Sequence, residues 1–143
     1  MSQDLQITAE QRSRLCMSLA VLQPRIDDIT DEFCRLIALA DPGLRMCMPT
    51  ETYQITATIE QLLHTVCEPE DADVFAMTLG QLGVSAGLTE YHLPTLLAAI
   101  QTAMAETASY TWTPQQEDDW TRWFDVLADF AIQGARNPGA AAA

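Results

Sequence analysis

Apolar residues recur at helical spacing along almost the whole chain, and no stretch alternates regularly enough to specify a strand. That periodicity commits the chain to an all-α fold. Thr8 with Gln11 forms a capping-box start for a first helix reaching about Gln23, and Pro24 suits the opening of a second. Ile26, Ile29, Phe33, Leu36 and Ile37 then share one stripe, which stops at the turn signal "ADPG". A third long helix is expected from near Thr50, with Ile55, Ile59, Leu62, Leu63 and Val66 inward. The fourth, roughly Asp71 to Leu82, places Phe75, Leu79 and Leu82 on one face before Gly80, Gly83 and Gly87 weaken its end. A fifth begins at Thr89, and a sixth starts at the box Thr113-Pro114-Gln115-Gln116.

With 143 residues, no internal repeat and no linker, the chain reads as one domain over 1–143, with 1–7 and 135–143 as frayed tails. Helices of unequal length with a short turn after the second suit a helical sandwich packed at steep angles.

Seven arginines, no lysine and twenty acidic residues give a formal charge of −13. Nucleic-acid backbones and anionic membrane surfaces repel such a chain, so neither is expected as a partner. Mimicry of DNA is a rarer use of this acidity than a solvated acidic surface. The sequence has no membrane-length apolar run, and its first residues lack the basic and apolar regions of a signal peptide, which points to a cytoplasmic protein. Cys16, Cys34, Cys47 and Cys67 are widely spaced without a Cys-x-x-Cys pair and read as buried free thiols. Two distant histidines, scattered carboxylates and no Gly-rich phosphate loop offer no enzymatic constellation.

Three segments in order resemble the globin superfamily, specifically single-domain bacterial haemoglobins and the globin domains of flavohaemoglobins: "ITDEFCRLIALADPGLR", "GVSAGLTEYHLP" and "YTWTPQQEDDWTRWFDVLADFAI". The resemblance covers about residues 8–133 and implies a globin-like sandwich of six to eight helices. It places Gly83 where the family carries its proximal histidine, Cys34 where a bacterial haemoglobin usually has tyrosine, and Met48 near a haem-wedging phenylalanine. Gln54 matches the distal glutamine. His92 aligns with a corner histidine, whose simplest reading is local capping and whose alternatives are a haem-edge contact or a substitute axial ligand. His64, ten residues beyond Gln54, is turned about 80° from it on an ideal helix and reads as a surface or rim residue.

Glycine has no side chain to ligate iron, and a chain without lysine has few cations for haem propionates. The resemblance therefore implies a non-enzymatic sensory or regulatory module without conventional haem, binding an apolar small molecule or a partner protein. Haem for oxygen or nitric oxide binding, with unusual axial ligation through His92, Cys34 or a solvent-supplied ligand, is the alternative. The former haem space is either filled by Met46, Met48, Phe75 and Met77 or left as a hollow. A homodimer through the last two helices is also expected, since Trp120 and Trp123 lie on adjacent faces and only one is expected to point fully inward.

Overall fold

The computed structural model describes residues 7–137. Among them lie seven α-helices and no strand. Helix α1 (Ala9–Leu22) opens at the expected capping box: the Gln11 N–H donates to the Thr8 hydroxyl at 3.0 Å, and the Thr8 N–H donates to the Gln11 side-chain carbonyl at 2.9 Å. A 3-10 turn at Gln23–Arg25 leads into α2 (Ile26–Ala40), which buries Ile29, Phe33 and Ile37. The residue before Pro42 cannot continue the helix comfortably, and Asp41 is extended with φ −159°. Its carboxylate accepts the Gly43 and Leu44 N–H groups, capping the short α3 (Pro42–Met46).

Helix α4 (Thr52–His64) turns Ile55, Ile59, Leu62 and Leu63 inward, as its stripe requires. It is followed by α5 (Ala72–Ser85), α6 (His92–Ala108) and α7 (Pro114–Arg136), the last starting at the second capping box on Thr113 and Gln116. All seven helices contribute to one hydrophobic cluster. None is long and apolar enough to cross a membrane, among the described residues.

Helix α5 departs from its sequence reading. It continues past Leu82 to Ser85, and its buried face is Ala72, Ala76, Gly80 and Gly83. Leu82, expected inside, is 60% exposed. The cause is the packing of α5 on α7, where a Cβ on Gly80 would fall 1.9 Å from the Ala131 carbonyl oxygen and one on Gly134 would fall 2.0 Å from that of Met77. The two helices meet backbone to backbone, and only a face of small residues permits this.

Both Trp120 and Trp123 are fully buried, which corrects the expectation that one faces outward. Each indole N–H finds a hydroxyl on a different neighbour: Trp120 donates to Ser18 of α1 at 3.1 Å, and Trp123 donates to Thr65, just past α4, at 2.9 Å. With partners on two sides of α7, adjacent faces are both interior. Of the tails expected to fray, 1–6 and 138–143 lie outside the described residues. Ile7 packs against the core, and α7 reaches Arg136, whose guanidinium pairs in bidentate fashion with Glu90 at 2.7 and 2.9 Å.

Candidate functional site

The end of α5 builds the site. Gly87, with φ +104°, closes the helix in a Schellman turn: the Leu88 N–H donates to the Gly83 carbonyl at 2.8 Å and the Gly87 N–H to that of Val84 at 3.0 Å. The left-handed conformation favours glycine at 87. Gly83 is different, because it stays helical within α5. The turn brings Leu88 back over Gly83, so that a Cβ there would lie 3.2 Å from Leu88 Cδ1 and 3.7 Å from Leu93 Cδ2. Leu88 thus crowds the space that a side chain at position 83 would claim, with Leu93 at ordinary contact distance beside it.

Above this corner a cavity of about 310 Å³ opens between α4 and α5, with α6 and α7 completing its wall. Its volume lies at the lower end of ligand cavities, which run from about 300 to 1,000 Å³. The lining is largely apolar, typified by Ile59, Leu79, Leu96 and Leu97 with Phe33 among them, and no Asp, Glu, Arg or His contributes to it. Two polar side chains line it, and each already has a partner. The Thr58 hydroxyl donates to the Gln54 carbonyl at 3.1 Å, and the Cys47 thiol donates to the Gly43 carbonyl at 3.6 Å. A guest in this cavity meets apolar surface and no uncommitted side-chain donor. Leu82 belongs to the same wall and is mostly exposed, so the cavity reaches solvent beside it.

Of the residues singled out in the sequence, Met48 and Gly83 line this cavity. Cys34, Gln54 and His92 do not. Phe33 takes the wall position next to Cys34, whose thiol is pushed upward in pKa chiefly by its own burial. Gln54 is exposed near the start of α4, one turn before Thr58, which does reach the cavity. The His92 ring is committed locally, its Nδ1 accepting the Thr89 N–H at 3.0 Å. His64 is exposed and its Nε2 bonds to the Gln23 side-chain oxygen at 2.9 Å. The hollow persists because the side chains proposed to fill it point elsewhere. Met46 is 85% exposed and Phe75 and Met77 lie outside the lining, which leaves only Met48 of the four.

The lining holds no imidazole, and its only sulfurs belong to Cys47 and Met48. Its donor set does not fit a histidine-ligated haem. Sequence reasoning missed Thr58 and the leucine pair Leu88 and Leu93. Gly87 was a usable signal for them, since a glycine just past a helix end announces the turn that folds Leu88 back.

No protein-family model matches the chain. No curated protein matches it in sequence. Solved structures do match, among them a bacterial globin from Campylobacter jejuni, with a TM-score of 0.75 over 92% of this chain and 98% of that one. The fold is a globin fold. Identity over that match is 18%, so the likeness speaks for chain topology and not for what the cavity holds.

Proposed function

We propose that this globin-fold chain is a non-enzymatic sensory or regulatory module whose cavity takes an uncharged, apolar small molecule in place of histidine-ligated haem, in a cytoplasmic setting, with its response passed to a partner protein. One observation carries the reading: the cavity wall is largely apolar, uncharged and free of imidazole, and its Thr58 and Cys47 side chains are already hydrogen-bonded. Gly83 at the position that resembles the family's proximal histidine, covered by Leu88, agrees with it.

Titration of the purified protein with benzene, followed by amide chemical shifts, tests the reading. Shifts should concentrate at Gly83, Leu88 and Leu97 and saturate. Ala86→Trp, which plugs the wall from an exposed position, should suppress them. Shifts scattered over the surface, or none, would count against the proposal. The same preparation should be colourless and gain no sharp Soret band on addition of haemin.

A second reading, haem held by unusual axial ligation, draws on the two sulfurs of Cys47 and Met48 in the wall. It predicts a Soret peak at one haem per chain that survives gel filtration, and Met48→Leu or Cys47→Ala should shift that peak.

A further inference from the structure

Cys16 and Cys67 are 51 positions apart in the sequence, and their sulfur atoms lie 3.3 Å from each other. Cys16 sits on α1; Cys67 sits in the turn between α4 and α5. Contacts that do not involve sulfur hold these segments together. Arg12, one turn ahead of Cys16, donates from its Nε to the Val66 carbonyl at 3.2 Å and from a terminal nitrogen to the Cys67 carbonyl at 2.8 Å. The Trp123 indole fixes Thr65 in the same turn. The approach of the two thiols is therefore imposed by the surrounding packing. A disulfide has an S–S length of about 2.05 Å, so the sulfurs need to close by roughly 1 Å. Both cysteines are half-buried, neither sealed in the core nor fully exposed. Cys34 and Cys47 have no such sulfur partner among the described residues.

We propose that Cys16 and Cys67 form a redox-active pair that closes reversibly into an intramolecular disulfide, a modification site that fastens α1 to the turn preceding α5. The oxidant class is a hydroperoxide. The Cys16 thiolate attacks a peroxide oxygen, the O–O bond breaks, and an alcohol or water departs, leaving Cys16 as a sulfenic acid. The Cys67 sulfur then attacks the Cys16 sulfur and the S–O bond breaks. The Cys67 proton leaves with the hydroxyl as water. Two thiols and one hydroperoxide become one disulfide, one alcohol and one water, and a dithiol reverses the change. Burial first, and then the bond to Cys16, push the Cys67 thiol up to about 11, so Cys67 gives up its proton only as the disulfide forms. The pair is independent of whatever occupies the apolar cavity.

The test uses the full chain. It is treated with excess hydrogen peroxide, remaining thiols are alkylated under denaturing conditions, and the protein is peptide-mapped without reduction. Two of the four thiols should disappear in a monomeric product carrying a Cys16–Cys67 linked peptide, and dithiothreitol should restore them. Cys16→Ser and Cys67→Ser should each prevent that product, while the Cys34→Ser/Cys47→Ser double variant should still form it. The peptide map of the unaltered protein decides the matter even if a serine variant folds poorly. Four alkylated thiols after peroxide, sulfinic acids without a link, or linked peptides joining other cysteines or separate molecules would overturn the proposal.

Discussion

Gly80 and Ala131 touch main chain to main chain, with no room at Gly80 for a single methyl group: its Cβ would lie 1.9 Å from the Ala131 carbonyl oxygen. Gly134 repeats the arrangement against Met77 from the other helix. Carbonyl groups cannot swing aside as a side-chain tip can, so α5 and α7 must separate if either glycine gains a side chain. Gly80→Ala and Gly134→Ala should each lower stability by about 3 kcal/mol or more, read from urea unfolding. Gly83→Ala should stay within about 1 kcal/mol of the parent, because its new contact is the movable end of Leu88 and alanine favours the helix. Equal losses at all three sites would contradict this account.

Position 83 gives a second test. A histidine introduced there is crowded at its Cβ by Leu88, which shares the cavity wall with Gly83 and Leu93. Gly83→His should fold, with a modest loss of stability, and should not acquire a histidine-ligated haem spectrum when haemin is added. Clean uptake of one haem by that variant would show that the leucines yield easily and that the pocket lacks only its ligand.

The Trp123 indole N–H and the Thr65 hydroxyl form a buried bond in the turn that also carries Cys67. Trp123→Phe removes the donor and leaves a gap, and should cost about 2–4 kcal/mol in denaturant unfolding. His92→Ala, by comparison, breaks a bond local to its corner and should cost less than about 1 kcal/mol.

Acid should weaken the pairing of Glu32 with Arg35 on α2 in a defined window. The Arg35 guanidinium bonds Glu32 and, with Glu106 contributing next, holds the Glu32 carboxyl down at about 2 against an ordinary 4.5. A depressed carboxyl favours the folded state above its unfolded value, and that contribution fades as pH falls from about 4.5 toward about 2. Glu106 moves the other way, raised chiefly by its bond to Glu32, so its contribution favours folding at low pH and is lost as pH rises. A carboxyl-detected NMR titration should find the Glu32 midpoint near 2. Arg35→Gln should return it toward the ordinary range and flatten the dependence of melting temperature on pH between 4.5 and 2. An unchanged midpoint in that variant would remove Arg35 as the cause.

Local chemistry was legible in the sequence where its partners are near neighbours. The two capping boxes each span three residues, and the stripe Ile29, Phe33 and Ile37 needs only the helical period to be recognised. Helix α5 was misread because large apolar residues were assumed to face inward, whereas the facing surface of α7 carries Gly134 and Ala131 and admits small ones. Two glycines inside otherwise regular helices were the available hint. Met48 and Gly83 both line the hollow, whereas Cys34, Gln54 and His92, which the family pattern groups with them, lie outside its lining, His92 in a bond local to its corner. Nothing in the spacing of four scattered cysteines selects Cys16 with Cys67. Their approach depends on Arg12 and the turn after α4, which exist only once the chain has folded.

Most of the scarce positive charge is spent inside each molecule. Arg12, Arg25 and Arg45 bond backbone carbonyls, while Arg14, Arg35 and Arg136 bond Asp119, Glu32 and Glu90. What one molecule presents to the next is a surplus of carboxylates, with a formal net charge of −13. Copies of this protein in dilute buffer repel one another over a screening length of about 10 Å at 0.1 M salt. They should resist non-specific aggregation when concentrated, and precipitate most readily when salt shortens that reach or acidification brings the solution near pH 4.2, where the charges balance.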